Sequence, residues 1–483
     1  MMFRFLLSLL IASATHAAPA DLIVLGGRIT TAVPTRPVAQ AFAVTNGRFS
    51  YVGTRNGVLA LKGQRTRVID VGASRILPGL VDAHVHPLGI IDLDVCDLRN
   101  EPKPLSVIAQ NVRGCVAHYH LKPGEWLKVS MWNFSNGNQP DAAYPTLRAA
   151  LDAGAPVNPV QLEGWDGHHG AYNSAALRLA STDKGVRIGL SRATLAGPFA
   201  TYRELVGVDA SGEPSGGVNE NARKLMGGDL VDASNLKAIL QAPEKLTQRL
   251  NNAGITAFLD AQADPDDFIV YDTLEQRGHL TAHTSLAQFF DPDVVVRADG
   301  SPDYDRMVAG AILRREHYAR NPLIRADIVK LYADGVLEGN PLADPPTLPN
   351  SPSVKPYLQP VFGRDASGHA TFSGRYAGMD DPACRILYRT EPDQKLWRAQ
   401  HGFDRAQCSV GSGKPQHPRA VMIEWVRRMH AAGFGIHIHA IGDGAVHVAI
   451  DALEAARAND PPSAQRRPDT LAHVQLGPVD ITG

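Results

Sequence analysis

Leu77-Pro78-Gly79-Leu80-Val81-Asp82-Ala83-His84-Val85-His86-Pro87 is an apolar run that ends in two histidines spaced i, i+2. A strand alternates its side chains with period two, so Leu80, Asp82, His84 and His86 leave one face while Val81, Ala83 and Val85 leave the other. Two imidazoles side by side suit chelation of one metal ion. An edge strand with two solvated histidines is the plain alternative. Gly79 and Pro87, punctuating an apolar run, favour a buried strand whose end opens into a site.

The theme returns downstream. Phe434-Gly435-Ile436-His437-Ile438-His439-Ala440-Ile441-Gly442-Asp443 is again an apolar strand with two histidines on one face, and Thr470-Leu471-Ala472-His473-Val474-Gln475 adds one more. In Ile328-Val329-Lys330-Leu331-Tyr332-Ala333-Asp334, period two puts Ile328, Lys330, Tyr332 and Asp334 together, so a lysine points inward. Burial of an ammonium is costly and drives it toward the neutral amine. Its reading is either metal ligation or an ion pair with an acidic neighbour such as Asp334. Residues 245–252, 265–276, 307–319, 420–432 and 444–458 read as helices, and 254–260, 280–290 and 326–334 as strands. Strands alternating with helices imply βαβ units, a parallel sheet and right-handed connections.

With Pro78-Gly79-Leu80-Val81-Asp82-Ala83-His84-Val85-His86 as its first barrel strand, the chain resembles the amidohydrolase superfamily. Asp166-Gly167-His168 followed by Asn173-Ser174, Lys330-x-x-x-Asp334-Gly335 and His439-Ala440-Ile441-Gly442-Asp443 look like its YtcJ-type (amidohydrolase 3) branch, which includes N-substituted formamide deformylases. The resemblance runs from about Asp21 to the last residue. It implies an α/β fold, a TIM-type (β/α)8 barrel flanked by a β-sandwich. It implies as metal ligands His84, His86, Lys330, His439 and His473, with Lys330 as a bridging residue, open to carboxylation by carbon dioxide. Trp165, His168 and Asn173 match the substrate-side motif, and His168, Lys330 and His439 are the catalytic candidates. His437 matches no ligand and reads as a supporting or core histidine.

Composition bounds the rest. The 483 residues suit a barrel of about 250 residues with a second domain and insertions. A net charge of -1 gives no global attraction to nucleic acid or anionic membranes. Residues 1–17 read as a secretory signal peptide, a single Arg before a short apolar core and small residues, so the chain is expected to be exported to the periplasm or medium. No other apolar run is long enough for stable membrane insertion. Export makes two disulfides the expectation for four cysteines, Cys96 with Cys115 and Cys384 with Cys408. Residues 18–78 read as the N-terminal part of the sandwich, with Asn46-Gly47 as a hairpin turn. The barrel occupies 79–483, with insertions at about 92–250 and 340–418.

The resemblance also implies two further strands, a base Asp and a returning sandwich segment after His473. The chain ends at Gly483, so a barrel truncated after its sixth strand is expected. The activity implied is hydrolysis of a C–N bond in an amide, formamide or cyclic imide by a metal-activated hydroxide, with a divalent metal, zinc by preference, as one or two ions. Hydrolysis of a lactone or phosphate ester on the same centre, or noncatalytic binding of a metal or solute, are the alternatives. The partner is a small-molecule substrate. Oligomeric state stays open, a homo-oligomer included.

Overall fold

The computed structural model describes residues 18–91, 94–134, 137–138, 140–227, 236–337, 359–364, 366, 370–377, 381–385, 394–402, 415–458, 460–461 and 468–476. The signal-peptide stretch and Cys408 lie outside the described residues. The chain forms two compact units, Met1–Val81 and Asp82–Gly483.

In the first unit, Leu22–Thr30 pairs antiparallel with Val38–Thr45 and parallel with Arg67–Asp70 and Arg75–Ile76. Val38–Thr45 continues through a two-residue turn into Arg48–Gly53. Asn46 and Gly47 both take positive φ, 52° and 72°, as that turn requires. Ile23, Leu25, Ala41 and Ala43 share one buried face, covered by Val58 of the helix Arg55–Leu59. These strands make one five-stranded sheet.

The second unit is built on a sheet of six strands whose order follows the chain, the first of them starting two residues before the unit boundary: Leu80–Val85, Ile255–Ala263, His283–Phe289, Ile324–Tyr332, Gly435–Ala440 and Thr470–His473. From the second to the sixth the neighbours are parallel. Helices Pro265–Gln276, Tyr304–His317, Arg419–Ala431 and Asp443–Arg457 lie between or before these strands. Strands stand about 4.8 Å apart, so in a flat sheet the first and sixth would be roughly 24 Å from each other. Yet the rings of His84 and His473 are 5.0 Å apart, so the sheet curls almost into a barrel.

Period two decides what each face does. On the fourth and fifth strands Val329, Leu331, Ile436, Ile438 and Ala440 face outward and pack with Met422, Trp425 and Val426 of one helix and Val446 and Ala449 of the next. The intervening residues Lys330, His437 and His439 face the interior and are buried there. Lys330 lies in register with His437, and Tyr332 with His439.

The first strand departs from expectation. It is an edge of the sheet, not a buried strand, with Leu80 54% and Val81 71% exposed. Its hydrogen-bonded strand neighbour among the described residues is the second strand alone. The strand Thr470–His473 is the opposite end of the sheet.

The segment after the first strand is a subdomain with its own six-stranded sheet. Its order is Val206–Val208, Pro214–Val218, Gly170–Tyr172, Val160–Gly164, Leu127–Trp132 and Cys96–Asp97. Helices Leu105–His118 and Leu147–Gly154 pack on it through Leu105, Ile108, Val112, Ala150 and Leu151. A disulfide joins Cys96 of the edge strand to Cys115 of the first helix. Of the second insertion, a hairpin of Gln359–Arg364 with Ala370–Ala377 is described. Among the described residues no helix is long and apolar enough to cross a membrane.

Candidate metal centre

Five imidazoles meet inside the curled sheet. His84 Nδ1 lies 3.0 Å from His437 Nε2. The His84 ring is 5.5 Å from that of His86 and 5.0 Å from that of His473, and the His473 and His439 rings are 4.6 Å apart. His86 sits one residue beyond the first strand, where Pro87 begins a short 3-10 turn. His473 ends the sixth strand with φ 78°, a left-handed conformation uncommon outside glycine and strained for this residue.

The electrostatics keep four of these rings, His84, His86, His437 and His439, neutral. Burial, then the nearby Lys330 charge, then the other histidines pull His84 and His437 down to about 3. His86 is lowered by the same causes, and His439 well below the ordinary imidazole range, burial first. Neutral imidazoles carry the lone pairs that a divalent ion requires. His439 is further oriented: its Nε2 is 2.9 Å from the Gly335 carbonyl, which only accepts, so Nε2 carries the proton and Nδ1 the lone pair. Asp334, fully buried, accepts hydrogen bonds from the Ile441 and Gly442 N–H groups at 3.0 and 2.7 Å and lies 3.5 Å from His439. It therefore ties the end of the fourth strand to the turn that follows the fifth.

Lys330 is 1% exposed, and burial lowers it to about 7 against the opposing charge of Asp260. Asp260, on the second strand, is raised to about 7 by burial, a shift its hydrogen bond from Tyr271 Oη at 2.7 Å only partly offsets. The acidic neighbour of the lysine is thus Asp260 and not Asp334, whose carboxylate is committed to backbone. The Lys330 ammonium also sits 4.5 Å from the Tyr332 ring centroid, and Tyr332 Oη hydrogen-bonds Gln262.

His168 approaches from the subdomain. Its ring is 5.7 Å from His439 and 6.3 Å from Tyr332, and its Nδ1 is 3.0 Å from Glu220 Oε2. Burial alone lowers its pKa, but the Glu220 hydrogen bond and charge outweigh burial and the net shift is upward. Trp165, 43% exposed, stacks parallel to Phe134, which stacks in turn on His169 at 3.8 Å. His169 bonds Asp166 at 2.6 Å and holds the turn.

Asn173 corrects a sequence expectation. Its oxygen accepts from Val160 and Ala176 N–H, its amide donates to the Ala155 and Asn158 carbonyls, and it is fully buried. An amide with its donors and acceptor already engaged caps the helix Ser174–Leu177 and has no face for a substrate. His437 was legible as a histidine on the inward face, but its place against His84 was not. Its spacing of two from His439 repeats that of His84 and His86, and this is the signal that marks it. Asp260 carried a weaker signal, a lone carboxylate in an apolar strand; Glu220, 52 residues from His168, carried none.

A tighter group lies elsewhere: among the described residues Asp291, Asp293 and His417 hold ligand atoms within 4.8 Å of one another. The Lys224 ammonium, 2.6 Å from Asp291 Oδ2, already balances its charge. The donor set of the five-histidine centre fits a divalent ion better: several desolvated neutral nitrogens and a lysine held near neutrality.

Residues 67–480 match the amidohydrolase family. The chain belongs to that family. The chain is 26% identical to the exoenzymes regulatory protein AepA of Pectobacterium carotovorum over 73% of its own length and 72% of that protein. To the N-substituted formamide deformylase of Arthrobacter pascens it is 30% identical, over 43% of its length and about a third (35%) of the deformylase. The putative amidohydrolase YtcJ of Bacillus subtilis is 23% identical over 93% of this chain and 68% of YtcJ, which places the chain with the YtcJ-like branch. A solved metal-dependent hydrolase from Pyrococcus furiosus shares the fold, with a TM-score of 0.51 at 18% identity over 90% of this chain and 70% of that one.

Proposed function

We propose that this amidohydrolase-family chain hydrolyses a C–N bond in an amide, formamide or cyclic imide, using a divalent ion, zinc by preference, held by His84, His86, Lys330, His439 and His473. The observation that supports it is the convergence of five imidazoles, four of them held neutral by burial, on a near-neutral lysine inside one curled sheet. A divalent ion bound there supplies a hydroxide nucleophile at neutral pH and polarises the scissile carbonyl. The protein's own groups do the rest. His439, with Nε2–H fixed on Gly335, presents Nδ1 without reorganisation. His437 holds the His84 ring through the 3.0 Å contact. Lys330, desolvated toward the free amine, is driven toward the protonation state that attacks carbon dioxide, the N–C bond forming as one N–H proton leaves to solvent, so carbamate formation at Lys330 is part of the proposal. His168 faces the substrate through Nε2, which in the neutral ring held by Glu220 accepts a hydrogen bond from a substrate N–H, and Trp165 with Phe134 forms an aromatic wall for the acyl or amine substituent.

The leader sequence and the Cys96–Cys115 bridge support export of the chain. The whole protein's substrate is sought among small amides, as the partial likeness to a formamide deformylase suggests. Turnover of N-substituted formamides, dipeptides and lactones by zinc-loaded protein tests the reading. Cleavage of formamides or dipeptides is the expected result. Cleavage of lactones alone moves the chemistry to esters, and stoichiometric metal with no turnover of any of them makes the centre a binding site. His168→Ala is expected to lower turnover with metal content intact; loss of metal would make His168 a ligand.

A further inference from the structure

Glu220 begins a 3-10 turn, Glu220–Met226, with φ 48°, a left-handed backbone that costs a residue with a Cβ and that glycine adopts freely. What the conformation achieves is a double hold on His168: the Glu220 N–H donates to the His168 carbonyl at 2.9 Å, while its carboxylate takes the His168 Nδ1 at 3.0 Å. Both side chains are largely buried, at 19% and 10% exposure. Two further bonds fix the same turn, His168 N–H to Asp166 Oδ1 at 3.0 Å and the Arg223 guanidinium to the Gly167 carbonyl. Strain kept at a position whose partners over-determine it marks a functional constraint.

We propose that Glu220 is the positioning residue for His168: its carboxylate holds the proton on Nδ1, so that Nε2 is the nitrogen left for the substrate beside the metal centre. This rests on the reading of His168 as a substrate-side group. A carboxylate only accepts, so the neutral ring bonded to it must be the Nδ1–H tautomer. Without Glu220 the tautomer is unfixed and the ring can turn. The backbone bond secures the segment and the side-chain bond the ring, and the left-handed φ is the conformation in which one residue makes both.

The test compares Glu220→Gly with Glu220→Gln. Glycine suits φ 48° and lacks the carboxylate, so a residue needed only for the turn would be replaced without loss; glutamine keeps the reach and an accepting oxygen. In 15N-histidine spectra of zinc-loaded protein at about pH 8.5, above the ordinary imidazole range, the His168 signal is assigned by its absence in His168→Ala. It is expected as the Nδ1–H tautomer in wild type and Glu220→Gln, and as a mixture in Glu220→Gly. Turnover in Glu220→Gly is expected to fall about 10–100-fold, in kcat more than KM, with metal content unchanged. Adding Glu220→Gly to His168→Ala is expected to cost nothing more. An unchanged His168 tautomer in Glu220→Gly overturns the proposal, as does a further loss on top of His168→Ala. If wild type hydrolyses none of the amides, the proposed function fails, and the tautomer comparison still decides the role of Glu220.

Discussion

The fourth and fifth barrel strands and the first and sixth carry the same kinds of side chain in opposite settings. On the central pair, Lys330, His437 and His439 face the interior while Val329, Leu331, Ile436 and Ile438 are sealed under helices, so each ligand candidate stands on backbone that is packed on both sides. On the outer pair, His84, His86 and His473 stand on the two ends of the sheet, and the first strand leaves Leu80 and Val81 to solvent. Half of the centre is thus built into the core, and half hangs on edges that a bound ion would draw together. Rigidity at this site follows from what lies behind each strand and not from the ligands themselves.

The comparison can be broken most severely from the core side. Trp425→Ala removes a fully buried indole from the layer behind the central strands and is expected to cost about 3–5 kcal/mol, read as a lower denaturation midpoint with unchanged slope. Asp334→Ala leaves the buried N–H groups of Ile441 and Gly442 without their acceptor and is expected to cost about 2–4 kcal/mol, with the His439 side of the centre loosened and metal affinity reduced; a variant as stable as wild type would show that water replaces the carboxylate.

Metal addition sharpens the comparison from the edge side. An ion that bridges the two sheet ends stabilises the chain by about 2.7 kcal/mol at one hundred times its Kd, and chelation reverses it. In His84→Ala with His86→Ala the stabilisation, the bound metal and the activity are expected to disappear together, while the metal-free melting temperature stays near that of metal-free wild type. Full metal occupancy in this double variant would place the ligands elsewhere. The smallest effect belongs to the exposed edge: Leu80→Ser is expected to change stability by no more than about 0.5 kcal/mol, and a large loss on thermal melting would show that the edge is covered in solution.

Much of this was legible along the chain. The helix Pro265–Gln276 falls on the residues its Pro and aliphatic pattern mark, and the fourth and fifth strands carry Lys330 and His439 on the inward face that period two assigns, whereas His473, in register with the outward Ala440, meets the other rings from a left-handed strand end. Cys96 and Cys115, 19 residues apart, are bonded as the exported context suggested. Such features depend on backbone geometry over a few residues, and a sequence displays them directly.

Partners are a different matter. The sequence determined that His84, His86, His439 and His473 sit at strand ends and that Lys330 points inward. Only the tertiary structure decided that the sheet curls far enough to bring the first and sixth strands within a ring's width, that His437 lies against His84, that Lys330 answers to Asp260 and not Asp334, that Asn173 spends its amide on backbone, and that Glu220 holds His168. Periodicity tells which face a side chain takes because every residue obeys the same local rotation. What waits on that face depends on twist and closure summed over the whole sheet, and on loops that bring distant residues back to one point.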